Sequence, residues 1–166
     1  MNFHRSFVSG LVCALFLCVL ADAKPTKALS LKSSAAQSVA GTVVSEIKLD
    51  FVIADGMHVQ ANPSEPPLIA TNVSLKANKE LEVFTPKYPA GKKLMVKGLS
   101  KEVNTYDGGI QVIVPVRLNK TATIKATKLE GEVRYQACND NLCFPPEKLA
   151  FSVPITVAVS PPAARK

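Results

Sequence analysis

Hydrophobic and polar residues alternate in short runs over most of the chain from Val39 onwards. Between Val43 and Ile53 the apolar positions include Ile47, Leu49 and Phe51, a period of two that places one face of a β-strand in a core. Runs rich in β-branched residues recur at short intervals after this one. The further predicted strands are Met57–Ala61, Ile69–Leu75, Leu81–Thr85, Leu94–Lys97, Glu102–Tyr106, Gly109–Leu118, Ala122–Gln136 and Leu149–Val159.

The segments between these runs carry turn and loop residues. Asp55-Gly56 is a turn dipeptide, and three prolines make 62–68 a loop. No stretch shows a helical period of 3.6 residues. Seven to nine short strands in about 120 residues predict an all-β fold, an antiparallel β-sandwich of immunoglobulin-like type.

The N-terminal segment has the pattern of a signal peptide. A basic start, His4-Arg5, precedes an apolar run over Phe7–Leu20 and the small residues of Ala21-Asp22-Ala23. We expect cleavage between Ala23 and Lys24. The apolar run has about 14 residues, fewer than the roughly 20 that a membrane-spanning helix needs. We therefore expect export and no membrane span in the mature chain.

The mature chain is long enough for one domain with its own core. Residues 24–38 are rich in Ala, Ser and Lys and predict a flexible leader. We assign 1–23 to the signal peptide, 24–38 to the leader, 39–159 to the domain and 160–166 to a tail.

The net charge of +7 comes from lysines scattered along the chain. They are not interleaved with aromatic residues, and no nucleic-acid motif is present. The pattern favours a solvated basic surface. An anionic partner or a membrane surface is the alternative that it leaves open. We expect a monomer that does not bind nucleic acid.

Two cysteines, Cys138 and Cys143, remain once the signal peptide is removed. Three of the four residues between them, Asn139, Asp140 and Asn141, are types that favour turns. The spacing predicts a β-hairpin with the cysteines on facing strands, where a disulfide is feasible. Closing so short a loop stabilises a fold by only about 2 kcal/mol.

The residues alone leave three uses for the pair open, and spacing by itself slightly favours a structural clip. Thiol:disulfide exchange is the second, with the activation supplied by a partner's thiolate, since no helix N-terminus or Cys-x-x-Cys motif is predicted here. Metal binding is the weakest, because His58 is the only histidine of the mature chain and a closed zinc site needs four ligands. We read His58 as a residue on the surface of a strand.

The residues around the cysteines resemble a known family. Tyr135-Gln136-Ala137-Cys138, followed by Cys143-Phe144-Pro145-Pro146-Glu147, is similar to the N-terminal periplasmic domain of the thiol:disulfide interchange protein DsbD. Asp55-Gly56-Met57-His58-Val59 and Tyr106-Asp107-Gly108 resemble earlier parts of that domain, and the likeness covers roughly 39–159.

The resemblance implies a redox relay in the periplasm on an immunoglobulin-like sandwich, without a cofactor or metal. A thioredoxin-like domain fed by a membrane electron carrier would reduce the domain. Electrons would then pass to disulfide isomerases or to thioredoxin-fold proteins of cytochrome c biogenesis. Cys143 would form the mixed disulfide and Cys138 would resolve it. The flanking site residues are Tyr135, Gln136, Asn139, Phe144, Pro145 and Pro146.

The family also shields its cysteines with a cap loop that holds an aromatic residue and acids. The best-matching stretch here is Lys97-Gly98-Leu99-Ser100, with Leu99 where the aromatic residue would fall and no acid beside it. Two hypotheses follow for the whole chain. One is an exported exchange protein, a component of a protein-disulfide reductase system, and the other is a non-catalytic interaction module with a structural disulfide.

Overall fold

The computed structural model describes residues 27–32, 35–41, 43–119 and 125–158, and these form twelve β-strands and one short 3-10 helix. The strands are β1 Leu29–Leu31, β2 Gln37–Ala40, β3 Ser45–Ile53, β4 His58–Gln60, β5 Asn72–Leu75, β6 Leu81–Val83, β7 Lys92–Val96, β8 Lys101–Tyr106, β9 Gly109–Leu118, β10 Ala126–Tyr135, β11 Ala137–Cys138 and β12 Glu147–Ala158, and the helix, η1, is Lys97–Leu99. Nowhere in the described part does a helix have the length and apolarity needed to cross a membrane. The predicted signal peptide with its cleavage site and the predicted tail at 160–166 fall outside the described residues.

Two four-stranded sheets pack face to face around the hydrophobic core. Their strand orders are β1-β3-β9-β6 and β2-β12-β10-β5. Along β3, the side chains of Ile47, Leu49 and Phe51 are buried while those between them are exposed, as the alternation predicts. The ring of Phe51 meets that of Phe151 from β12 edge to face, with centroids 6.2 Å apart. The predicted immunoglobulin-like β-sandwich is confirmed.

A third sheet, in the order β11-β4-β8-β7, carries the cysteine region. β11 pairs antiparallel with β4, which sets Cys138 opposite His58 and Ala137 opposite Val59. β4 pairs in turn with β8, and the turn between β7 and β8 is η1. This sheet therefore brings the strand after Asp55-Gly56 and the predicted cap stretch to the same hairpin.

The described part of 24–38 is not a flexible leader, so that prediction is wrong there. β1 pairs antiparallel with β3, and its Leu29 is completely buried. β2 begins at Gln37 and pairs with β12, in a parallel arrangement. Strands of three and four residues are too short for their alternation to stand out, but Leu29 and Val39 each fill a place in the core.

Candidate functional site

The turn between the two cysteines is built by its own polar residues. The Asn139 side-chain Oδ1 accepts hydrogen bonds from the backbone N–H groups of Asn141 and Leu142, both at 2.9 Å. The backbone N–H of Asn139 donates to the Leu142 carbonyl at 2.9 Å. This is the local bonding by which Asn favours turns. The predicted hairpin and the predicted role of Asn139 in its tip agree with this geometry.

Cys138 and Cys143 face each other as an antiparallel bridge, with their Cα atoms 3.9 Å apart and their sulfur atoms joined in a disulfide. The two residues differ in exposure. Cys138 is completely buried, whereas Cys143 is only partly buried. A thiol arriving from solution therefore meets Cys143 first.

Two residues that the sequence analysis did not place at the site lie next to Cys138. The side-chain Nε2 of Gln60 donates a hydrogen bond to Cys138 Sγ at 3.1 Å, and Gln60 is completely buried. His58 lies opposite Cys138 in the β4–β11 pair, and its Nε2 is 3.6 Å from Asp140 Oδ1. Its side chain is 17% exposed, so His58 belongs to the surroundings of the disulfide rather than to an open strand face.

Gln136 ties three segments together beside the disulfide. Its Oε1 accepts the backbone N–H of Ile69 at 2.8 Å, and its Nε2 donates to the Phe144 carbonyl at 3.0 Å. Its own carbonyl accepts the Gln60 N–H at 2.9 Å. The predicted flanking residue Gln136 thus holds the residue after Cys143 and the strand that carries Gln60.

Three further flanking residues follow Cys143 directly in the chain. Phe144 packs partly against the core, and Pro145 and Pro146 are exposed. Leu142 is also exposed, at 49%. Because proline has no N–H to offer to a sheet ladder, this segment forms a stiff, partly apolar edge directly after Cys143.

The short helix η1 is docked onto the tip of the hairpin. The backbone N–H groups of Lys97 and Gly98 donate to the carbonyls of Asp140 and Asn141, at 3.1 and 3.0 Å. A Cβ atom on Gly98 would collide with the Asn141 carbonyl oxygen. Leu99 lies at the end of η1 and is 36% exposed. The stretch that resembles the cap therefore contacts the cysteine hairpin, through its backbone.

The carboxylates near His58 and the hairpin belong to the hairpin turn and to the residue after β8. The helix η1 carries no acidic residue. Asp107 follows β8, and its pKa is lowered mainly by a hydrogen bond from Lys92 at 2.9 Å, with a smaller contribution from the charge of His58. His58 Nε2 itself lies near the Asp140 carboxylate. Among the described residues, no group of three or more His, Cys, Asp or Glu side chains could hold a metal ion.

Tyr135 anchors the end of β10 to the start of β12. Its side chain is completely buried, and its hydroxyl donates to Glu147 Oε2 at 2.8 Å. Burial and then this hydrogen bond raise the pKa of Tyr135 well above the ordinary value of 10.0. Burial likewise raises the pKa values of Tyr88 and Tyr106.

We expect the alkaline stability of the domain to reflect these tyrosines. A raised pKa in the folded state gives a stability contribution that is complete below pH about 10 and is lost as the pH rises above it. In Tyr135→Phe the free energy of unfolding should fall less steeply above that pH, and at pH 7 it should be lower by about 1 kcal/mol because a hydrogen bond is missing. Urea unfolding at several pH values measures both. An unchanged slope in the variant would contradict this assignment.

The chain matches a family model and several solved structures, among them two N-terminal domains. The model of the family described as "Thiol:disulfide interchange protein DsbD, N-terminal" matches residues 26–155. The DsbD N-terminal domain of Neisseria meningitidis in the reduced form is 18% identical, with a TM-score of 0.41 over 68% of this chain and 79% of that one. The N-terminal periplasmic domain of ScsB from Proteus mirabilis is 15% identical, with a TM-score of 0.43 over 77% of this chain and 44% of that one.

A comparison with curated protein sequences gave no match. The family model, by contrast, covers most of the chain, including all of the strands that surround the disulfide. It also contains both cysteines and the residues on either side of them. The chain belongs to the family of DsbD N-terminal domains, whose name denotes thiol:disulfide interchange.

Proposed function

We propose that this protein is an exported thiol:disulfide exchange protein that passes electrons between thioredoxin-fold partners through Cys138 and Cys143. The observation that carries the proposal is the unequal exposure of the two residues, with Cys143 partly exposed and Cys138 completely buried. Exchange needs one sulfur that a partner's thiolate can attack. The second sulfur leaves as a thiolate and later re-forms the disulfide. Membership of the family supports the same chemistry.

The exchange proceeds in two balanced steps. A thiolate of a dithiol donor attacks Cys143 Sγ, a bond to the donor sulfur forms, and the Cys138–Cys143 bond breaks with its electron pair left on Cys138. The donor's second thiol loses its proton, the Cys138 thiolate takes one up, and the second donor sulfur attacks the first donor sulfur in the mixed disulfide and releases Cys143 as a thiolate. The donor dithiol loses two electrons, and the domain's disulfide gains them. In the reverse direction Cys143 attacks an oxidised partner, and Cys138 resolves the product.

The edge after Cys143 suits a protein partner. Leu142, Pro145 and Pro146 are exposed beside the reachable cysteine. The prolines stiffen this edge and offer no N–H groups, so a partner packs against side chains instead of extending the sheet. We propose that thioredoxin-fold proteins dock here and that η1, with Leu99, acts as the cap that limits access to the sulfurs.

The proposed setting is the periplasm, where disulfides form and persist. The signal-like pattern before Lys24 supports export. A membrane electron carrier is the proposed ultimate source of electrons, reaching this domain through a thioredoxin-like intermediate.

The alternative is an interaction module in which the disulfide is only structural. One observation favours it, because the hairpin tip is held in place by backbone hydrogen bonds from η1. Such a disulfide would resist reduction, whereas an exchange pair would cycle. The two candidates therefore differ in reduction potential.

A redox titration of the chain from Lys24 separates the two candidates. We expect a reduction potential above about −300 mV, the level below which structural disulfides typically lie. We also expect rapid reduction by a thioredoxin that is itself kept reduced. The double variant Cys138→Ala/Cys143→Ala provides the baseline for both assays. A lower potential together with resistance to the thioredoxin would rule out the exchange function.

A further inference from the structure

The side-chain amide of Gln60 lies against the buried sulfur of the disulfide. Its Nε2 donates to Cys138 Sγ at 3.1 Å, and both residues are completely buried. We infer that Gln60 is a catalytic residue of exchange, which stabilises the thiolate that forms on Cys138 when the disulfide is opened at Cys143. This inference rests on the proposed function for its biological meaning but not for its test.

The position of Gln60 is fixed from several sides. Its backbone N–H donates to the Gln136 carbonyl at 2.9 Å, and its carbonyl accepts from both the N–H and the hydroxyl of Thr71, at 3.1 and 2.6 Å. The hydroxyl of Ser64 donates to Gln60 Oε1 at 3.4 Å. Since that oxygen accepts a hydrogen bond from Ser64, the amide is oriented with its N–H groups towards the sulfur. The donor is in place before the reaction begins.

The reaction creates charge at the place where Gln60 points. When a thiolate attacks Cys143 Sγ and the Cys138–Cys143 bond breaks, the electron pair stays on Cys138 Sγ. This sulfur is buried, so water offers it little solvation, and an unpaired buried charge is costly. A preorganised N–H donor is worth most where charge develops in a site that excludes water. A sulfur also leaves faster when the thiolate that it forms is more stable.

His58 does not replace this donor. It lies opposite Cys138 across the β4–β11 pair, and its Nε2 is 3.6 Å from Asp140 Oδ1. Asp140 belongs to the exposed turn of the hairpin. Gln60 is therefore the side chain whose hydrogen bond ends on the reacting atom.

Reduction by a small dithiol tests the inference without any protein partner. We expect the rate constant for reduction by excess dithiothreitol to fall about tenfold in Gln60→Leu, because the leaving thiolate loses a hydrogen bond to a charged group. Thr105→Val is the matched control, since Thr105 is buried and lies opposite Gln60 on β8. Its rate constant should equal that of the wild type. A wild-type rate in folded Gln60→Leu would overturn the inference.

Two further variants keep the test decisive if Gln60→Leu does not fold. Ser64→Ala leaves Gln60 in place but frees its amide, and we expect a fall of about twofold because the orientation is lost. Gln60→Glu keeps the shape and places a carboxyl group at the sulfur, where its ionised form repels a forming thiolate. The ratio of its rate constant to that of the wild type should fall as the pH rises. A ratio that does not change with pH would count against Gln60, since a purely structural role predicts that result.

Failure of this inference and failure of the proposed function give different results. If a thioredoxin does not reduce the wild type but Gln60→Leu still slows the reaction with dithiothreitol, the role of Gln60 stands and the exchange function falls. If the thioredoxin does reduce the wild type but Gln60→Leu is as fast with dithiothreitol, the exchange function stands and the role of Gln60 falls.

Discussion

A Cys138→Ala variant is expected to accumulate as a mixed disulfide through Cys143 with a thioredoxin-fold partner, and a Cys143→Ala variant is expected to form none. Cys143 is the partly exposed member of the pair, so its thiolate can attack a partner's disulfide. Without Cys138 no thiol in the domain can resolve the adduct. In Cys143→Ala the remaining thiol is the completely buried Cys138, which a partner cannot reach.

The experiment mixes each reduced variant with an oxidised thioredoxin and separates the products on a non-reducing gel. Mass spectrometry of the adduct identifies the cysteine that carries the partner. The two variants are matched controls for each other, because each loses the same disulfide and about 2 kcal/mol of stability with it. An adduct through Cys138, or none with either variant, would contradict the assigned roles.

The long strands could be predicted from the sequence, as could the short strands β4 and β6, whereas β1 and β2 could not. β9 has the predicted bounds Gly109–Leu118, because ten residues contain enough alternation to define a strand and Gly109 marks its start. β1 and β2 were missed because the segment around them is rich in Ala, Ser and Lys, and its few apolar residues do not establish a period. Their place in the fold comes from pairing with distant strands, β3 and β12.

The sequence likewise predicts one part of the candidate site and not the other. The hairpin could be predicted because its chemistry is local, with Asn139 bonding the next residues of its own turn. Gln60 could not, since it is 78 residues from Cys138 and reaches it only because β4 pairs with β11. Alternation places His58 and Gln60 on one face of a strand. Nothing in the sequence says which other strand that face will meet.

The contact between η1 and the hairpin adds a property that the resemblance alone did not suggest. The family cap depends on an aromatic side chain, and Leu99 is a smaller side chain that remains 36% exposed. Here the attachment is made by two backbone hydrogen bonds, from Lys97 and Gly98. A side chain at position 98 would prevent that approach, because it would meet the Asn141 carbonyl. If η1 is the cap, it should be controlled more by Gly98 than by Leu99.

Gly98→Ala is therefore expected to detach η1 from the hairpin and to increase the rate at which a small dithiol reduces the disulfide. The added methyl group collides with the Asn141 carbonyl oxygen, so both backbone hydrogen bonds to the hairpin are lost. At about 1 kcal/mol each, their loss shifts the balance between attached and detached η1 by roughly 30-fold, which is the upper limit for the increase in rate. Stopped-flow measurement of reduction by dithiothreitol gives the value directly.

Leu99→Ala is the matched control for this prediction, because it shortens the side chain of the same helix and leaves both backbone hydrogen bonds intact. Its rate of reduction should rise much less than that of Gly98→Ala. Thermal unfolding of both variants shows whether the sandwich itself is unaffected, since η1 contributes no buried residue to the core. An unchanged rate in folded Gly98→Ala would mean that η1 does not limit access to Cys143. A larger increase in Leu99→Ala would place the shielding in the side chain, as in the family's aromatic cap.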